Sequence, residues 1–123
     1  MGMYTQLDLT MTFKEEDFGP IKEYIDYGTE DSDIPALHTF LQDIRHDMLS
    51  MSYVYQSPYY NLTVKGDIKN YTDTYEKLYE ALESLNPTTG YIEELYEEWD
   101  TPDIYYVQDG KMILSKQHTK EQQ

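Results

Sequence analysis

The side chains of the right type for metal binding or proton transfer are three histidines, His38, His46 and His118, with Asp43 and Asp47 close to the first two. Protein ligands must converge to within about 2 Å of a zinc ion. His38 and His46 are eight residues apart, which on one helix separates them by about 12 Å, and the sequence holds no two-histidine ligand motif. Surface or capping histidines are the simpler account, and no metal site is expected. None of Ser32, Ser50, Ser52, Ser57, Ser84 and Ser115 has the flanking glycines of a nucleophile elbow. The six glycines are isolated from one another, so there is no phosphate loop or dinucleotide fingerprint. A carboxylate pair for acid–base catalysis is defined in space and not by spacing along a chain. The expectation is a protein that is not an enzyme and takes no cofactor.

The carboxylates carry a different signal. The chain has 24 acidic and nine basic residues, a formal charge of −15. Direct nucleic-acid binding needs cations that displace counterions from phosphates, so the expected partner is a basic protein and not nucleic acid. Acids are concentrated at Glu93, Glu94, Glu97, Glu98 and Asp100, interleaved with Tyr96 and Trp99. Aromatic anchors rimmed by charge are what a protein-binding surface requires, and these seven are the candidate partner-binding residues. The 14 tyrosines add large contact area at low entropic cost. Duplex DNA carries one charge per ~1.7 Å, so fifteen charges match ~25 Å of duplex, comparable with the ~35 Å width of such a domain. That density permits nucleic-acid mimicry if the acids form one track; the same acids spread over every face would only keep the protein soluble.

With no cysteine, disulfides and thiolate chemistry are excluded and a reducing cytoplasm fits. No apolar run approaches the ~18 residues of a membrane span, and the layout of a signal peptide is missing. A cytoplasmic protein with no membrane partner is expected.

The candidate residues need elements to position them. Leu7, Leu9, Met11 and Phe13 alternate with Asp8, Thr10 and Thr12, the pattern of a half-buried strand. Glu15-Glu16-Asp17, Pro20 and the spacing of Phe18, Ile21 and Ile25 predict a short helix ending at Gly28, with acids at its positive end. Leu37, Phe40, Leu41, Ile44 and Met48 recur at helical spacing. Met51–Gln56 and Tyr60–Ile68 predict two strands meeting at Ser57-Pro58, with a bulge at Gly66. Asn70 caps a helix striped by Tyr71, Tyr75, Leu78, Leu82 and Leu85, which Asn86-Pro87 ends. Tyr91–Trp99 fits either a helix or a strand. Asp109-Gly110 marks a hairpin between strands at 104–107 and 112–114. The expectation is one α+β domain over residues 1–115, a mainly antiparallel sheet with helices on one face, arranged as a ferredoxin-like split βαβ unit extended by a C-terminal hairpin. Residues 116–123 read as a disordered polar tail.

The segment Tyr60-Asn61-Leu62-Thr63-Val64-Lys65-Gly66-Asp67-Ile68-Lys69-Asn70-Tyr71, then an acidic helix, then Ile104-Tyr105-Tyr106-Val107-Gln108-Asp109-Gly110-Lys111, resembles a family of small uncharacterised proteins encoded by phages and mobile elements of Gram-positive bacteria. The resemblance covers most of the chain and includes a turn similar to Arg45–Leu49. It implies a strand at 91–99 and carries over no catalytic residue. It also implies an origin in which small acidic proteins often block host defence, anti-CRISPR proteins among them. The resulting expectation is a phage- or prophage-encoded inhibitor, monomeric or homodimeric, that occupies a basic surface of a host protein such as a CRISPR nuclease. The alternatives are a small-molecule or nucleotide-binding enzyme-like domain, or an assembly adaptor that dimerises through a sheet edge.

Overall fold

A computed structural model of the chain describes residues 4–27, 49–69 and 74–119. Strand β1 (Tyr4–Lys14) buries Thr5, Leu7, Leu9, Met11 and Phe13 and turns the intervening side chains outward, as its strict alternation dictates. The acids Glu15–Asp17 form the turn that follows, closed by the Asp17 N–H on the Lys14 carbonyl at 2.9 Å. Helix α1 (Gly19–Tyr27) begins after them and has no acid in its first turn, so the expected pairing of carboxylates with the helix dipole is not made. Phe18, just ahead of the helix, is fully buried and stacks on Tyr60 at 4.8 Å.

Strands β2 (Leu49–Gln56) and β3 (Tyr59–Lys69) form the expected hairpin around a cis Ser57–Pro58 bond. Gly66 pairs with Leu7 on one side and Leu49 on the other in unbroken register, so the bulge expected there is absent. Helix α2 (Thr74–Glu83) presents Leu78, Ala81 and Leu82 to the core. It ends where Asn86 takes a left-handed φ of 59° and donates its N–H to the Glu83 carbonyl, after which Pro87 cannot continue the helix.

Tyr91 and its neighbours form a strand, β4 (Thr89–Tyr96), because β1 offers them a full edge to pair with. Strands β5 (Asp103–Gln108) and β6 (Lys111–Lys116) close on Asp109 and Gly110 at φ 54° and 79°, the positive pair that a tight hairpin demands. The register shifts once, between Ile104 and Tyr105. The expected tail is tied down at its start: Lys116 belongs to β6, and residues 117–119 fold back on the β4–β5 connection. The predicted helix at 37–48, with His38 and His46, and the Asn70 cap lie outside the described residues.

The six strands make one sheet in the order β2-β3-β1-β4-β5-β6, every neighbouring pair antiparallel. The α+β class is as expected. Both helices pack on the face carrying Leu7, Leu9, Met11, Phe13, Leu62, Val64 and Ile92, and these residues form one core cluster with Phe18, Ile21, Leu78, Leu82 and Leu85. Each such burial contributes roughly 1.5–3 kcal/mol. At the sheet edge, Glu83 of α2 accepts the Met112 N–H at 2.7 Å and ties the helix to β6.

Gly90 lies beneath Met11 of the core and Val107 of β5, which packs against it. A Cβ there would sit 2.7 Å from Val107 Cγ2 and 2.8 Å from Met11 Cγ, while one on Gly19 would meet nothing within 4 Å. Gly90→Ala is expected to destabilise the protein by about 1–3 kcal/mol through overpacking. Gly19→Ala is expected to leave stability unchanged or raise it by up to about 1 kcal/mol, since it stiffens a helical position. Urea unfolding of the two variants beside the parent gives both values.

Candidate protein-binding site

The strand period divides the seven candidate residues. Pairing with β1 puts Glu94 opposite Leu7 and Tyr96 opposite Thr5, on the helix side, and Glu93 opposite Asp8, on the other face. Glu93 and Glu94 are therefore neighbours in sequence on opposite sides of the sheet. Glu94 is partly buried and accepts a hydrogen bond from the Tyr79 hydroxyl of α2, so it joins helix to sheet. Glu93 accepts from the Tyr91 hydroxyl two residues back. That bond, followed by burial and the charge of Glu93, pushes the Tyr91 phenol up to about 12.

The other five come together where β4 ends. The Trp99 N–H donates to the Tyr96 carbonyl at 2.9 Å, forming the turn, and the Glu97 N–H donates to the Tyr4 carbonyl at 3.0 Å, pinning it to the start of β1. The Tyr96 and Trp99 rings meet edge to face at 5.7 Å. Burial, then the charge of Glu98, raises the Tyr96 phenol above its ordinary range. Glu97, Glu98 and Asp100 stand exposed around the partly buried Trp99.

Four residues outside the predicted set, His118, Asp103, Thr119 and Thr101, hold this turn. His118 lies flat on Trp99, ring centroids 3.6 Å apart and 4° from parallel. Its Nδ1 is 2.8 Å from Asp103 Oδ1, and its backbone N–H donates to the same oxygen at 2.6 Å. The Asp100 N–H donates to the Thr119 carbonyl at 2.8 Å, and the Thr119 N–H donates to Thr101 Oγ1 at 2.9 Å. The sequence held a partial signal for this clasp. Counting outward from Asp109-Gly110 places Asp103 opposite Lys116, and the β5–β6 irregularity brings the next residues into reach.

Of the five acidic side chains described within strands, Glu94 and Asp103 lie on the helix side by register, and Asp8, Asp67 and Glu93 on the sheet face away from the helices. Of the five described lysines, Lys14, Lys65, Lys111 and Lys116 occupy that face by register and Lys22 lies on α1. Among the described residues no group of three or more histidine, aspartate or glutamate side chains is placed to hold a metal ion, and no helix is long and apolar enough to cross a membrane. The chain matches no protein-family model, no curated protein and no solved structure.

Two outcomes follow from this geometry. His118→Ala should move Trp99 fluorescence to longer wavelength, as the indole loses its cover, and lower stability by about 1 kcal/mol through the lost Asp103 bond; unchanged emission would show that the imidazole does not shield the indole. Tyr91, whose ordinary value is 10.0, holds its proton more tightly in the folded state. Its contribution is therefore present below pH 10 and is lost as pH rises toward about 12. Tyrosinate absorbance of the parent minus Tyr91→Phe should show one group titrating at the top of that window, and the parent's stability should fall more steeply across it than the variant's.

Proposed function

We propose that this protein is an acidic inhibitor, phage- or prophage-encoded, that binds a basic surface of a host nucleic-acid-handling defence protein such as a CRISPR nuclease. The observation that carries this reading is the braced turn at the end of β4: Glu97, Glu98 and Asp100 exposed around Trp99, with the backbone fixed to Tyr4 and Thr119. Because the turn is held before any partner arrives, little ordering cost remains at binding. The three exposed carboxylates of the turn concentrate negative charge there, which steers encounter with a basic channel. Within this reading Tyr96 and Trp99 supply anchoring, Glu93 lies beyond the turn on the opposite face, and Glu94 is committed to Tyr79. The strand order also supports the finer fold reading, a ferredoxin-like split βαβ unit, since β1 and β2 run in the same direction on either side of β3 and β4 flanks β1.

The immobilised protein is expected to retain a nucleic-acid-handling protein from bacterial lysate at low salt and to release it to competing RNA or DNA. Reversing Glu97, Glu98 and Asp100 together to lysine should slow association about tenfold or more and flatten its salt dependence, with the fold intact. Retention of no such protein, or equal binding by the triple variant at low and high salt, would remove the proposal.

A further inference from the structure

The two edges of the sheet are built differently. β6, at one end, begins and ends in lysine, and its Met112 N–H is already bonded to Glu83. β2, at the other, reads Leu49-Ser50-Met51-Ser52-Tyr53-Val54-Tyr55-Gln56, with no charge, proline or glycine and an unbroken register with β3. Its outer backbone groups follow from the hydrogen-bond alternation of antiparallel pairs. The Glu15 N–H on the Pro58 carbonyl, at 3.0 Å, extends the β1–β3 ladder by one pair, so even-numbered residues of β3 bond to β1 and odd-numbered ones to β2. Ser50, Ser52, Val54 and Gln56 therefore exchange bonds with β3. Leu49, Met51, Tyr53 and Tyr55 turn their N–H and C=O groups outward, and no described element pairs with them.

This end of the sheet is also electrically distinct. No acid falls between Asp47 and Asp67, the longest such interval in a chain with 24 of them, and the one charge inside it is Lys65. Two carboxylates approach β2 on the helix side, and the strand engages both. Asp26 accepts from the Tyr53 hydroxyl at 2.6 Å and pairs with Lys22, and Glu15 accepts from the Tyr55 hydroxyl at 2.7 Å.

We infer that β2 pairs with β2 of a second copy, antiparallel about a twofold axis at Ser52, so that two six-stranded sheets become one. This register opposes Leu49 to Tyr55 and Met51 to Tyr53 of the other copy, and it closes all four outward residues of each strand. An axis at Met51 or Tyr53 closes only three, because it sets Tyr55 or Leu49 past the end of the partner strand. On the helix side the register places the Met51 thioether beside a tyrosine ring, and on the open face serine meets serine at the axis. No charge is set against another. A basic partner is drawn to carboxylates, which this edge lacks, whereas two molecules of charge −15 meet with least repulsion along their long acid-free segment. The dimer does not depend on the inhibitor reading, since β3 and β1 separate this edge from the turn at the end of β4.

The test uses the full chain alone. Sedimentation velocity at 0.15 M salt should show a monomer–dimer equilibrium with a dissociation constant on the order of 10⁻⁴ M or tighter, as a contact of one strand pair implies. At 0.01 M salt the screening length grows from about 8 to about 30 Å, and the dimer should weaken by about threefold or more, opposite to the salt effect on a basic partner. The chain has no cysteine, so an introduced one reads the register. Ser52 falls at a pair without hydrogen bonds, where Cα atoms are about 4.5 Å apart and within disulfide reach. Ser52→Cys should therefore link two copies under mild oxidation. Val54→Cys, on the same face, sets its two thiols about 13 Å or more apart and should link at least about tenfold more slowly. Ser52→Lys, at an exposed position, lowers the net negative charge yet opposes two ammonium groups at the axis; it should weaken the dimer by about tenfold or more with the circular dichroism unchanged. A monomer at every concentration and salt, equal linking through the two cysteine variants, or a dimer indifferent to Ser52→Lys overturns the inference. So does a monomer whose Met51, Tyr53 and Tyr55 amides resist hydrogen exchange, which would make another segment of the same chain the occupant of the edge. Ser52→Lys should still retain the lysate protein, so failure of the dimer and failure of the inhibitor reading are told apart.

Discussion

Strand β1 is the constraint on which the sheet is built. It pairs over its full length with β3 and over most of it with β4, so the first strand of the chain becomes the centre of the molecule. Both neighbours inherit their orientation from it. Leu62 and Val64 face inward because they lie opposite Met11 and Leu9, and Ile92 because it too lies opposite Leu9. A one-residue slip on either side would send those side chains to the open face and bring Thr63 or Glu93 into the core. The two helices need only cover one apolar face that β1 has already defined.

This explains which parts of the fold could be read from the sequence. The alternation of Leu7, Leu9, Met11 and Phe13 and the Asp109-Gly110 turn are local signals with a single physical meaning, and both stand as expected. Tyr91–Trp99 is ambiguous by local pattern because Ile92, Leu95, Tyr96 and Trp99 fit a helical stripe while Tyr91, Leu95 and Trp99 fit one strand face. What decides it is the distant edge of β1, which places Ile92 inside and Leu95 on the open face. Gly66 looked like a bulge because glycine often marks one, yet the chain runs straight through it, and the register irregularity falls at Ile104/Tyr105, where no glycine announces it.

The candidate site was legible to a similar extent. Tyr96, Glu97, Glu98, Trp99 and Asp100 stay together in space as they do in sequence, because a turn keeps sequence neighbours close. Glu93 and Glu94 do not, because a strand sets them on opposite faces. The clasp of His118 and Asp103 was hidden because it depends on a two-strand register with a fault in it.

The bond from the Met112 N–H to Glu83 has a meaning for how these molecules behave in a crowd. In a two-residue hairpin the residues next to the closing pair, here Met112 and Val107, turn their backbone groups away from each other. The Met112 amide therefore belongs to the free margin of β6, a strand with Ile113 and Leu114 exposed on its two faces. Such a margin is a template on which further chains can add strand by strand. A carboxylate from α2 already occupies that amide, lysines stand at both ends of the strand, and the register fault breaks its line near Ser115. An incoming strand would have to displace Glu83 and accept two ammonium groups before gaining its first full ladder of bonds, so the edge resists polymerisation although its side chains invite it.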